Sequence, residues 1–154
     1  MNAEERGEIA ARNFLEGYNC SSSVAMAFAD LTPLSKEEVR RAAHAFGGGF
    51  GRTRGMCGAL AACGIILGLT ADERGDIHED KTELYKKVQE IYSQFEDVFG
   101  TVNCARLLEN VSSVTGGFAP QQRDAKYYAD RPCLKIVRKT AELLQEYLQT
   151  LDKS

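Results

Sequence analysis

Four of the five cysteines in this 154-residue chain stand directly behind a helix-starting signal, and they are spread along its whole length. Asn19 precedes Cys20, Gly55-Met56 precede Cys57, Asn103 precedes Cys104, and Arg131-Pro132 precede Cys133. A thiol in the first turn of a helix faces unpaired N–H groups and the positive end of the dipole. That setting favours the thiolate, the form that attacks disulfides and binds metals. If these four thiols share one purpose, the fold must bring four separate helix N-termini to one place. Few topologies meet that demand.

Helical signals dominate the rest of the chain. Glu4 to Glu16 carries Ile9, Ala10 and Phe14 at helical spacing and ends at Gly17. A second helix is expected from Ser21 to Leu31 behind the Asn19 cap. Ser35-Lys36-Glu37-Glu38 is a capping box opening a third, to about Ala45 or Phe46. The stretch Phe46-Gly47-Gly48-Gly49-Phe50-Gly51-Arg52-Thr53-Arg54-Gly55 interrupts it, and Met56 to Thr70 follows as a central apolar helix. Asp72 to Asp80 reads as a polar loop. Lys81 to Phe99 places Leu84, Val88, Ile91, Tyr92, Phe95, Val98 and Phe99 on one helical face, and Gly100 stops it. Cys104 to Asn110 starts a short helix, and Ser112 to Arg131 shows little periodicity, as a long loop that is either mobile or a cover over a site would. Pro132 opens the last helix, to about Leu151. No run alternates like a strand. The expected fold is therefore all-α: one domain over residues 1–154, a bundle of about six to seven helices with a glycine-rich loop before the central apolar helix. Gly17-Tyr18-Asn19-Cys20 is faintly echoed by Gly100-Thr101-Val102-Asn103-Cys104.

Composition narrows the function classes. A net charge of −3 gives no reason to expect nucleic acid, and no long like-charge run suggests a tail. The polar, acidic start Met1-Asn2-Ala3-Glu4-Glu5-Arg6 reads as neither a signal peptide nor a twin-arginine leader. The longest apolar stretch, Met56 to Leu69, is too short to span a bilayer. The expected location is the cytoplasm, away from membranes. There structural disulfides are disfavoured and clustered cysteines lean towards catalysis or metal binding.

Two segments join the cysteines as candidate sites. In the glycine stretch, Gly48, Gly49 and Gly51 expose backbone N–H groups, and Arg52 and Arg54 add charge ahead of a helix N-terminus. That combination suits a phosphate, another anion or a cofactor. It lacks both the Walker ending and the strand a Rossmann fingerprint needs. The competing reading is a tight connection whose backbone passes close to the cysteines. In the central helix, Gly64 and Gly68 share a face at i, i+4, which suits close helix packing in the core or a homodimer seam. His44 reads as a helix C-terminal or surface residue, His78 as a loop residue, and Tyr127 and Tyr128 as covers over the site or loop aromatics.

The stretch Phe46-Gly47-Gly48-Gly49-Phe50-Gly51-Arg52…Cys57-Gly58-Ala59…Gly64…Leu67-Gly68-Leu69 resembles the redox-active protein family named for its cysteine pattern, C_GCAxxG_C_C. The likeness covers nearly the whole chain. The early cysteine after a Gly-Tyr-Asn turn is matched by Gly17-Tyr18-Asn19-Cys20, and Cys-Gly-Ala by Cys57-Gly58-Ala59. The third cysteine is matched by Phe99-Gly100…Cys104, and the fourth by Cys133. There is one departure: the motif's closing glycine falls on Ala62, whose added methyl would press on a close helix contact, and Cys63 follows it. The resemblance implies an all-helical redox protein with an iron–sulfur cluster or another prosthetic group, and an unidentified redox partner protein.

The residues themselves leave three chemistries open. Cys20, Cys57, Cys104 and Cys133 as metal ligands would hold an iron–sulfur cluster for electron transfer, which needs four thiolates converging in a low-dielectric pocket with N–H donors near the sulfurs. No Cys-x-x-Cys pair is present, so a zinc site is less expected. A thiol–disulfide oxidoreductase would use Cys57 as nucleophile, behind the glycine loop and beside Gly58. The third is that the cysteines are packed core residues, leaving an anion-binding helical module. Cys63 lies six residues after Cys57, about 120° around the helix at ~100° per residue, and is expected to point into the core.

Overall fold

The structure, a computed structural model, describes residues 1–111 and 114–152. It is an all-α single domain. The helices are α1 (Ala3–Leu15), α2 (Cys20–Met26), α3 (Lys36–Ala43), α4 (Gly58–Leu69), α5 (Ile77–Phe99), α6 (Cys104–Leu107), α7 (Ala125–Asp130) and α8 (Cys133–Asp152). Single 3-10 turns cover Ala29–Leu31 and His44–Phe46. Among the described residues no helix is long and apolar enough to cross a membrane.

Caps account for most boundaries. Ser35 and Glu38 form the expected box at the start of α3. Two differences from the sequence expectation also come from caps. The Asp76 side chain accepts from the Glu79 amide at 3.1 Å, so α5 begins at Ile77 and absorbs the end of the supposed polar loop, His78 included. The Asp124 side chain accepts from the Tyr127 amide at 2.9 Å and starts α7 inside the supposed loop. The first residue of that loop, Ser112, lies with Ser113 outside the described residues.

α4 is apolar around its circumference and takes the middle of the domain, as a helix without a polar face must. α2 packs against α4 and α3, α1 against α8, and α5 against α4 and α8. Phe28, Ile66, Leu67, Ile91, Phe95 and Leu144 are the largest apolar side chains sealed inside, and Ala62 is fully buried with them. Most polar groups inside are matched, Arg131 Nε and Thr140 Oγ1 being exceptions among the described residues. Arg6 is 2% exposed; it pairs with Asp30 at 2.5 Å and donates to Gln145 and the Ala27 carbonyl, tying α1 to the far end of α2 and to α8. Ser21 and Ser22 of α2 donate to the Ala43 and Arg40 carbonyls at 2.7 and 3.1 Å, satisfying the open end of α3 from a neighbouring helix. Gly64 and Gly68 do not make the expected close contact within the chain. A Cβ on either would meet nothing within 4 Å.

Candidate functional site

The glycine stretch is a left-handed turn. Five successive residues, Gly48, Gly49, Phe50, Gly51 and Arg52, have φ of +66°, +71°, +74°, +63° and +66°, and Arg54 follows at +62°. An L-residue held there costs roughly 1–2 kcal/mol, and glycine at positions 48, 49 and 51 removes much of that cost. The turn is closed by its own backbone, with Arg52 N–H on the Gly47 carbonyl, Arg54 on Gly48 and Gly55 on Gly49, at 3.2, 3.1 and 2.8 Å. Two asparagine caps hold its ends. Asn19 caps α2 through the Ser22 amide and donates to the His44 carbonyl at 2.8 Å. Asn103 caps α6 through the Arg106 amide and donates to the Arg54 carbonyl at 3.4 Å. The faint echo between the Asn19-Cys20 and Asn103-Cys104 segments thus has a shared local job.

This turn brings the cysteines together. Met56 and Asn103 form an isolated antiparallel bridge, with Cys57 N–H donating to Val102 at 2.8 Å and Cys104 N–H to Gly55 at 2.6 Å. Two helix starts far apart in sequence are thereby set side by side. A Cβ on Gly49 would lie 2.7 Å from the Cys104 Cβ, and one on Gly58 would lie 2.7 Å from the Cys20 sulfur and 2.6 Å from the Phe46 carbonyl. Only bare backbone fits at either place. Cys20, Cys57, Cys104 and Cys133 all line one cavity of about 560 Å³. All five thiols are free. Cys63 is fully buried in the core, its sulfur 3.6 Å from the Ala59 carbonyl, and takes no part. Among the described residues no three His, Cys, Asp or Glu side chains form a group that could hold a metal ion. The four cysteines share a wall without closing on one another.

The electrostatics reverse one expectation. Burial is the largest influence on Cys20, Cys57 and Cys133 and pushes each thiol up, Cys57 well above its ordinary range and Cys133 to about 11. Backbone N–H groups of Gly48 and Ser21 at Cys20, and of Ala59 and Leu60 at Cys57, pull the other way and lose. Desolvation of a thiolate outweighs a helix terminus that serves it through one or two amides. The thiols also raise one another: Cys20 and Cys104 act on both Cys57 and Cys133, and Cys104 acts on Cys20.

The remaining predicted residues divide. Gly48, Gly51, Arg52 and Arg54 line the cavity; Gly49 instead packs behind Cys104. The Arg52 guanidinium is taken up by residues 115–119, donating to the carbonyls of Thr115 and Gly117 at 2.9 Å and to Ala119. Arg54 reaches the Cys104 sulfur at 3.8 Å. Tyr127 and His44 are in the cavity wall, while Tyr128 stacks edge-on against Phe14.

A family model described as "Putative redox-active protein (C_GCAxxG_C_C)" matches residues 18–147. The chain belongs to this family. No curated protein and no solved structure matches it. All four cysteines that line the cavity of this C_GCAxxG_C_C protein fall within the matched span. The wall residues that sequence reasoning missed include Phe14, Arg123 and Arg131. Arg131 had a local signal, because it directly precedes Pro132-Cys133; Phe14 looks like any core residue of an amphipathic helix.

Proposed function

We propose that Cys20, Cys57, Cys104 and Cys133 hold an iron–sulfur cluster and that the protein carries electrons in the cytoplasm. The observation that carries this reading is the single cavity walled by four thiols from four helix starts. The donor set fits the group. Four thiolate sulfurs are its usual ligands, and the amides of Gly48, Ser21, Ala59 and Leu60 supply the N–H donors that its sulfurs need. Arg54 beside Cys104 offsets part of the negative charge such a site accumulates. As they stand the four thiols line one cavity without meeting at one point, so a cluster would have to draw them together.

When bound, the cluster supplies one-electron redox chemistry. The chain's own part is to leave room at Gly49 and Gly58 for the thiols to take up their positions and to aim backbone donors at them. The raised thiols bear on the choice between metal and disulfide chemistry. A thiol held protonated at neutral pH is a slow nucleophile, whereas a coordinating metal removes the proton outright. A dithiol mechanism at Cys57 is thus the weaker reading. Anaerobic reconstitution with iron and sulfide, followed by visible absorption and electron paramagnetic resonance of the reduced protein, tests the proposal. A charge-transfer band that bleaches on reduction is expected. A colourless protein after reconstitution overturns it.

A further inference from the structure

The cavity is larger than its thiols need, and its lining is also cationic. Arg52, Arg54, Arg123 and Arg131 all line it, and no aspartate or glutamate does. The chain as a whole carries a net charge of −3, so this is local segregation of charge. Among the described residues the ion pairs are Arg6–Asp30 and Arg40–Glu37, neither of them in the cavity. The guanidinium groups feel one another: after burial, Arg54 and Arg131 are what draw Arg52 below the usual arginine range. Arg131 is the most telling. It is only 7% exposed, stacks over Tyr127 at 4.4 Å and donates to Gln121, yet its Nε–H is buried with no hydrogen-bond partner. A nearly buried arginine in the lining of a ligand-sized cavity of about 560 Å³, with one donor unpaired, marks a place for an acceptor.

We propose that the arginine wall binds a small organic anion, with a carboxylate or phosphate head on Arg131 and Arg54 and an apolar body against Phe14, Leu108 and Ile136. The planar guanidinium fork suits both oxyanions. Arg52 is not a reader of this ligand, because its donors are taken by the backbone of residues 115–119. Arg54 lies beside Cys104 and Arg131 acts on Cys133, so the test is made with and without iron and treats the two questions apart.

Calorimetric titration of the purified protein with phenyl phosphate, benzoate and the neutral control benzyl alcohol, in iron-free and iron-loaded preparations, decides it. Binding of phenyl phosphate or benzoate, but not of benzyl alcohol, is expected in both preparations. The stronger of the two identifies the head group. Arg131→Gln and, separately, Arg54→Gln should each weaken binding tenfold or more, with the near-ultraviolet circular dichroism of the two variants checked against the parent protein. Because Arg131 is buried, Arg54→Gln decides the question if Arg131→Gln does not fold. Three results would overturn the proposal: no binding of either anion, unchanged affinity in a folded Arg54→Gln, or binding confined to the iron-free protein. The last would mean that the arginines serve the charge of the cluster. If the protein proves unable to take up iron, anion binding by the iron-free form still supports the site and its absence still refutes it.

Discussion

Gly49 sits at φ +71° with its Cα pressed against the Cys104 side chain, so that an added Cβ would lie 2.7 Å from the Cys104 Cβ and from the Gly55 amide nitrogen. Gly64, in mid-helix, has open space where its Cβ would be. The same substitution should therefore have opposite signs at the two places. Gly49→Ala is expected to cost about 3 kcal/mol, from left-handed strain plus overpacking. Gly64→Ala should add about 0.5–1 kcal/mol by restoring helix propensity. Urea denaturation of both variants checks this, and a stabilised Gly49→Ala would show that the turn is not as tight as described. Cys63 gives a second test. Burial raises its thiol to about 12 from an ordinary 9.0. Below pH 9 the thiol is protonated in folded and unfolded chains alike. Above it the unfolded chain loses a proton that the folded chain keeps, so stability falls as pH rises towards the folded value. The loss is on the order of 1 kcal/mol by about pH 10. Iron-free Cys63→Ala should lose stability less steeply than the parent chain between about pH 8.5 and 10.5; parallel curves would contradict the burial argument.

Asn19 and Asn103 each do two things at a helix start, capping with the side-chain oxygen and holding the end of the left-handed turn with the side-chain nitrogen. Asn19→Asp keeps the cap and loses the donor, whereas Asn19→Ala loses both. Expected costs are about 1 and about 2 kcal/mol respectively, since a cap and a hydrogen bond are each worth roughly 1 kcal/mol. An Asn19→Asp variant as stable as the parent would mean that the link to His44 contributes nothing, and equal costs for the two variants that the cap contributes nothing. Helices were legible in the chain where local rules suffice, as in the Ser35 box of α3 and the apolar stripe of α5 stopped by Gly100. The asparagine caps were legible too. The handedness of the glycine turn was not, because Phe50, Arg52 and Arg54 adopt positive φ without any local preference for it. Nor was the Met56–Asn103 bridge, a single pairing between segments with no strand character of their own.

The domain as a whole converts four scattered helix starts into one cavity wall. α4 lies in the core, the turn before it lies against α2 and α6, and α8 closes the far side with Cys133. Which cysteines line the cavity could be read from their positions and from the separate direction of Cys63. The raised thiols of Cys20, Cys57 and Cys133 could not, because a dipole argument considers one helix while burial is set by everything packed around it. The central claim, that these four thiols and not the fifth hold a cluster, is tested most directly by one measurement. That measurement is the iron and acid-labile sulfide bound per chain after anaerobic reconstitution, made on the parent protein and on five single Cys→Ala variants. The parent and Cys63→Ala should bind equal amounts, and the variants at Cys20, Cys57, Cys104 and Cys133 should each lose most of it. No iron in the parent chain, or full retention in any of those four variants, would contradict the account.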